Sequence, residues 1–313
     1  MKITYGIIDN NIDVTDICYK RLAKQSYDCK QNIIKIPSGD CSRATYFTDP
    51  LLGVLKSVFI TSDDDTVVEY DATKIIYIDL NTNAVFTNDT IPEYISAIYP
   101  NVEEKLKNIH SNLKIQHGSF NEEYPEQLMA ARYLTGNEKV LEIGANIGRN
   151  TLVISYLLAQ QNNDNFVTLE SDIGIAGQLA HNKTLNGLNF HIENSALSKR
   201  KLIQQGWNTI VSDTLLPGYT EVNTISFSDL QQKYGIAFDT LVLDCEGAFY
   251  YILMDMPEIL DNINLIIMEN DYNDISHKNY IDDVMTKKGF YVDYSEAGGW
   301  GCCYNNFYEV WKR

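Results

Sequence analysis

No apolar run in the chain approaches the roughly 18 residues that would suggest a membrane-spanning helix. Its start, MKITYGIIDNNIDV, has one Lys and meets Asp9 and Asp13 before any long apolar stretch. It therefore reads as a strand and not as a signal peptide, and a cytoplasmic location is the expectation. Cysteine usage agrees. Cys18, Cys29, Cys41, Cys245, Cys302 and Cys303 form no CxxC pair and no Cys/His cluster of zinc spacing, which argues against a disulfide framework and against a structural zinc. Positive charge is scarce: 25 Lys and Arg stand against 42 Asp and Glu, a net charge of −17. Residues 1–118 hold 12 basic and 16 acidic side chains, and residues 119–313 hold 13 and 26. Such a surface, with no Lys/Arg stripe, repels a phosphate backbone and sets nucleic acid aside as a partner. Internal repeats and low-complexity linkers are absent too.

What is present is ordinary globular composition, 44% hydrophobic and 21% charged over 313 residues, enough for two modest domains. Residues 1–90 look β-rich. Lys2–Ile8, Asn32–Ile36, Gly53–Ile60, Thr66–Tyr70 and Lys74–Asp79 are β-branched or aromatic runs, separated by turn clusters at Pro37–Asp40 and Ser62–Asp65. Thr15–Gln25 is amphipathic and predicts one helix. Asp63–Asp65 lacks the spacing, Gly and distal Glu of a calcium loop and reads as a hairpin tip. Residues 91–118 predict a helical connector, interrupted at Pro100, with a boundary between about Asn108 and Ser119. Residues 119–313 then alternate strand and helix. Strands are expected at Val140–Ile143, Asn165–Leu169, Phe190–Glu193, Thr240–Asp244 and Leu265–Met268, and Phe290–Tyr294 and Asn306–Trp311 close the chain as a hairpin. The expectation is an α/β, Rossmann-like domain with a mostly parallel sheet and one antiparallel edge.

Val140-Leu-Glu-Ile-Gly-Ala-Asn-Ile-Gly148 is a strand, a glycine turn and the start of a helix. In an open parallel sheet ligands sit beyond the carboxyl ends of the strands, where such a turn lies. Gly144 and Gly148 remove Cβ atoms that would hinder a ligand's approach. Glu142, a carboxylate in an apolar strand, stands where it could meet an ammonium group. Val167-Thr-Leu-Glu170 ends the next strand in an acid about 20 residues on, the position that binds ribose hydroxyls in dinucleotide folds.

VLEIGANIGRNTL resembles motif I of class I methyltransferases, specifically of the FkbM family. Thr184-Leu-Asn-Gly187, Asp244-Cys-Glu-Gly247 at the fourth strand's end and Met268-Glu269 at the fifth continue the resemblance, which covers roughly Glu122 to Tyr294. It departs where the family often has Lys, here Val242, and a second acid, here Phe249. The resemblance implies a seven-stranded sheet with a reversed final strand and S-adenosylmethionine as cofactor. It implies cofactor contacts from Glu142, Gly144, Ala145, Asn146, Gly148 and Asp244, with Glu170 and Ser171 at the ribose. Ser195 and Ala196 would lie beside the adenine, and Tyr124 and Gln127 are candidate lid contacts.

Methyl transfer to a hydroxyl needs the acceptor oxygen aligned at ~3 Å and a route for its proton. Asp244, Glu246 and Glu269 are the catalytic candidates. Either Asp244 or Glu246 acts as a general base, or Asp244 joins Glu269, Asn270 or Asp271 in holding Mg²⁺. The blander reading of Glu246 is a cap on the helix Ala248–Met256. His277 reads as a structural or exposed histidine, and Gly298–Gly301 as a hairpin turn with Trp300 as a stacking candidate. Family and charge together point to a small-molecule, sugar, glycan or nucleotide-sugar hydroxyl. Two alternatives stay open: a protein or RNA methyltransferase targeted by residues 1–90, and a non-catalytic glycan-binding or dimerisation protein on a degenerate fold. Residues 1–90 could serve oligomerisation, as in a homodimer, or substrate binding.

Overall fold

The computed structural model describes residues 1–23, 33–92, 95 and 102–313. Cys29, the end of the helix expected over Thr15–Gln25 and the interruption at Pro100 lie outside them. The chain divides into two compact units, Met1–Asn101 and Val102–Arg313.

The first unit holds two antiparallel sheets. In one, Asn10–Asp13, Lys2–Ile7, Ser57–Thr61 and Val67–Tyr70 lie side by side; in the other, Ile33–Ile36, Ile76–Asp79 and Ala84–Thr87 do. Ile3, Tyr5, Ile34, Ile36, Phe47, Val58, Ile60 and Ile78 form their core. Three local expectations change. The turn expected at Pro37–Asp40 runs into a helix, Asp40–Phe47, entered through Gly39 at φ 87°. The strand expected from Gly53 begins at Ser57, because the Lys56 ammonium is buried against Asp40 and Asp49 (both 2.9 Å) and donates to the Leu51 and Val54 carbonyls. The expected helix from Thr15 is α-helical only to Ile17 and continues as a wider π-turn over Cys18–Leu22.

The second unit is built on seven strands: β1 (Val140–Ile143), β2 (Phe166–Leu169), β3 (His191–Glu193), β4 (Thr240–Leu243), β5 (Leu265–Glu269), β6 (Tyr291–Glu296) and β7 (Tyr308–Lys312). Their spatial order is 3-2-1-4-5-7-6. Strands β1 to β5 pair in parallel, while β7 runs antiparallel to both β5 and β6. This is the Rossmann-like seven-stranded sheet with a reversed last strand. Every residue of β1, β2 and β4 is buried, as expected for parallel strands covered on both faces.

Helices cover the two faces: α1 (Val102–Asn112), α2 (Tyr124–Tyr133), α3 (Arg149–Ala159), α4 (Ile173–Asn186), α5 (Phe227–Tyr234), α6 (Ala248–Asp255) and α7 (Ile275–Lys287). Leu141, Ile143, Leu241 and Leu243 point to a core shared with α5, α6 and α7. Val140 and Val242 point to the other, shared with α1 to α4. Helix α1, expected in a connector, belongs to this second unit: Leu106 and Ile109 are buried with Met129 and Ala130 of α2. The unit thus starts at Val102, ahead of the boundary expected between Asn108 and Ser119. Local signals agree with these bounds. Asp172 accepts from Gly174 N (2.7 Å) and Ile175 N (2.9 Å) to cap α4, and Gly187, left-handed at φ 59°, ends it.

Between β3 and α5 lies a small antiparallel sheet that no sequence signal marks. Its strands are Asn208–Val211, Leu202–Gln205 and Thr220–Val222, in that order.

Candidate active site

The loop after β1 is shaped by two glycines, and both make room for protein atoms. A Cβ on Gly144 (φ 91°) would sit 1.5 Å from the Asp244 carbonyl oxygen, so glycine is what lets the ends of β1 and β4 come together. A Cβ on Gly148 would lie 2.4 Å from Leu179 Cδ1, so that glycine seats α3 against α4. The expectation that both clear space for a ligand is therefore corrected. Asn146, between them, is left-handed at φ 49°. Its backbone N–H donates to Glu170 Oε2 (2.9 Å) and its side-chain amide to Glu123 Oε1 (3.1 Å). Glu170, just past β2, takes a second backbone N–H on its other oxygen, from Asp172 (2.8 Å). Each carboxylate oxygen is thus oriented by one amide and keeps a lone pair for a ligand.

A cavity of about 850 Å³ opens at the carboxyl ends of β1, β2, β4 and β5, at the β1/β4 point where the strand order reverses. Of the residues named from sequence, Gly144, Asn146, Glu170, Ser171, Ser195, Ala196, Asp244, Glu246, Glu269, Asp271 and Trp300 line it. Glu142, Ala145 and Gly148 do not. Glu142 is 2% exposed, on the sheet face shared with Val140, and its Oε2 accepts from Thr151 and Thr168 hydroxyls, both at 2.6 Å. Alternation along β1 turns it into the interior beneath α3, away from the cavity. Gln127 is fully buried and holds the chain before α2, donating to the Phe120, Glu122 and Glu123 carbonyls and meeting His110 Nε2 at 2.7 Å. Neither it nor Tyr124 lines the cavity.

Several lining residues had no sequence signal. Glu123 and Glu126, at the start of α2, reach the cavity, as do Arg200, Trp207 and Ile210 from around the small sheet and Tyr251 and Asp255 from α6. Trp300, the stacking candidate named from sequence, reaches the cavity from the connection between β6 and β7, which is a 3₁₀ turn over Gly301–Asn306. His277 instead stacks flat on Tyr250, ring centroids 3.8 Å apart. The capping reading of Glu246 is corrected as well. No side chain caps α6 from its N-cap; Asp271 Oδ1 accepts from Gly247 N at 2.8 Å, while Glu246 is exposed and left-handed at φ 51°.

Carboxylates dominate the floor. Burial pushes Glu126 and Asp271 each up to about 7. Asp244 lies well above the usual carboxylate range, first through burial and then through repulsion from Glu123, Glu126, Asp271 and Glu246. Burial also raises Glu123, Glu170 and Glu246. Positive charge nearby is committed elsewhere. Arg149 pairs with Glu122 (2.7 Å) and Glu123 (2.5 Å), and Arg200 with Asp255 (2.5 Å). Among the described residues no group of three His, Cys, Asp or Glu could hold a metal ion, so the Mg²⁺ alternative finds no ligand set.

The second unit has the class I methyltransferase fold. Its strand order and its reversed β7 are those of that fold. No protein-family model matches the chain, and no curated protein does. Among solved structures, ribosomal protein L11 methylase from Lactobacillus delbrueckii subsp. bulgaricus is similar at 12% identity and TM-score 0.39, over 64% of this chain and 81% of that one. An O-methyltransferase from Bacillus cereus in complex with SAH is similar at 15% identity and TM-score 0.39, over 71% and 96%. A methyltransferase from Pyrococcus furiosus is similar at 14% identity and TM-score 0.35, over 69% and 96%.

Proposed function

We propose that the chain is an S-adenosylmethionine-dependent O-methyltransferase acting on a hydroxyl of a sugar or glycan. The observation that carries the cofactor half is Glu170, held by two backbone amides at the rim of a cavity at the β1/β4 switch point. The lining also fits the cofactor chemically. It is rich in acceptors and negative charge, which suits a ligand bearing ribose hydroxyls, an ammonium and a sulfonium. Ser195 and Ala196 border the space beside Glu170, where an adenine would lie.

When bound, S-adenosylmethionine supplies an electrophilic methyl group. The chain's own part is to orient the acceptor, keep water out and receive a proton. Asp244 is placed to receive that proton, since it lies at the end of β4, lines the cavity and has a raised affinity for protons. As the acceptor oxygen takes the methyl group, its hydroxyl proton passes to the Asp244 carboxylate. Glu246, exposed at the rim, is the alternative base and the path by which that proton leaves. Phosphate-bearing acceptors such as nucleotide-sugars are disfavoured, because their charge would face the same carboxylates. A protein or RNA target, and a non-catalytic role, have no particular observation in their favour.

Calorimetric titration with S-adenosylmethionine and S-adenosylhomocysteine tests the cofactor half, with saturable binding at one site expected. Absence of binding to either would sink the reading. Methyl transfer from radiolabelled cofactor to a panel of sugars and glycans, with and without EDTA, tests the acceptor half, and EDTA should have no effect.

A further inference from the structure

We propose that the hairpin Leu202–Val211 is a wall that holds the cofactor's adenosine half, with Trp207 stacked on the base. The proposal rests on the methyltransferase reading and assigns that site a second set of cofactor-binding residues beside Glu170. Register decides which way the hairpin looks. Leu202 pairs with Val211 and Gln204 with Thr209. Directly opposed residues share a face of a sheet, and successive residues alternate between faces. These four side chains therefore lie on one face, and all four line the cavity. Ile203, on the other face, is 2% exposed and does not line it. The outer strand, Asn208–Val211, borders the cavity along its whole length, and Trp207 reaches it from the turn.

Two anchors fix where the hairpin stands. Ser171 Oγ, one residue past Glu170, donates to Gln204 Oε1 at 3.0 Å. Arg200, just ahead of the hairpin, makes a two-pronged pair with Asp255 at the end of α6, at 2.5 and 2.7 Å, and lies over the Tyr251 ring. The hairpin thus spans from the neighbour of the ribose carboxylate to α6, and it follows Ser195 and Ala196 in the chain. Its chemistry is unlike that of the carboxylate floor. Leu197, Leu202 and Val211 line this part of the cavity, and Val211 and Trp207 are 55% and 62% exposed. Large apolar side chains left open to water in a concave site are stabilised by a flat, uncharged ligand. Adenine is the part of S-adenosylmethionine with that character, and an indole stacks on any base. A sugar ring also stacks on indole, but the bond to Ser171 sets the hairpin beside the ribose and base.

The test titrates the full chain with S-adenosylhomocysteine and, separately, with adenosine, following tryptophan emission and calorimetric heat. Both ligands should shift the emission. Trp207→Phe should remove most of that shift while holding both affinities within about threefold, because a phenyl ring still stacks. Trp207→Ala should weaken both ligands by the same factor, about tenfold. The side chain is exposed, so neither variant should lose its fold. Val211→Ser, on the hairpin's inner face, should weaken both ligands in the same direction. Adenosine that binds without a Trp207 response, or fails to bind where S-adenosylhomocysteine binds, overturns the proposal and leaves the methyltransferase reading standing. So does an S-adenosylhomocysteine affinity that Trp207→Ala leaves within about twofold. A Trp207 response that appears only on adding a sugar assigns the hairpin to the acceptor and overturns it as well. If neither ligand binds, the methyltransferase reading falls and takes this proposal with it.

Discussion

Glu142 and Glu170 end up on opposite sides of the loop after β1, and the difference is testable. Glu142 serves as acceptor for two buried hydroxyls, whereas Glu170 faces the cavity. Glu142→Gln, whose amide oxygen can still accept from both threonines, should leave S-adenosylhomocysteine affinity within about twofold by calorimetry. Glu142→Ala strands the Thr151 and Thr168 hydroxyls and should destabilise the chain by about 1–3 kcal/mol in urea. Glu170→Gln should weaken the cofactor at least tenfold, and because its amide oxygen can accept from only one of the Asn146 and Asp172 N–H groups it should also cost about 1 kcal/mol in urea. An equal loss of affinity in Glu142→Gln and Glu170→Gln would contradict these placements. Most of the cavity rim was legible residue by residue, because a glycine turn and an acid at the next strand's end are local signals. Glu142 was misplaced because its partners lie 9 and 26 residues away, and only strand alternation separates the interior face from the ligand. Glu126 and Asp271 were not marked as a pair. Their burial is set by tertiary packing, which no sequence pattern encodes.

At the level of elements, the parallel core announced itself and the wall of the cavity did not. Strands such as Val140–Ile143 and Thr240–Leu243 are continuous apolar runs, buried throughout, and helix α5 is bracketed by a Ser226 cap and Gly235. The small sheet over 202–222 has no such marks. Its strands are mostly exposed, and Trp207 at its turn is 62% exposed. Its position is set by where the chain leaves β3 and returns to α5, a tertiary matter. Because Trp207 packs little but lines the cavity, Trp207→Ala should shift stability by no more than about 0.5 kcal/mol. It should raise the KM for cofactor or acceptor several-fold, with a smaller effect on kcat. A large stability loss with unaltered KM would assign Trp207 to packing. The helix caps respond differently: Asp172→Ala removes the acceptor for two amides of α4 and should cost about 1 kcal/mol in urea.

On the scale of the whole molecule, negative charge governs how stability responds to pH. Glu126, Glu142 and Asp271 each titrate near 7 in the folded chain, chiefly through burial; unfolded, such groups titrate near ~4. The folded state therefore binds more protons than the unfolded one between those values. Stability from this source is fully present below ~4 and is lost as pH rises through ~7. Opposing groups, such as Asp255 beside Arg200 and Glu193 beside Lys233, are held below their ordinary range. Their contribution is lost only in more acidic solution. The ligand-free melting temperature should accordingly fall from pH 5.5 to 7.5. Tryptophan fluorescence follows this cleanly, since all three tryptophans, Trp207, Trp300 and Trp311, lie in the second unit. A cationic ligand favours the ionised carboxylates, so its binding should tighten over the same interval and release protons, seen as a buffer-dependent calorimetric enthalpy. Glu126→Gln with Asp271→Asn removes two of the groups responsible and should reduce the slope, with Glu142 and Asp244 keeping part of it. A melting temperature that instead rises across that range, or a slope the two substitutions leave intact, would place the origin of the pH response in groups other than Glu126 and Asp271.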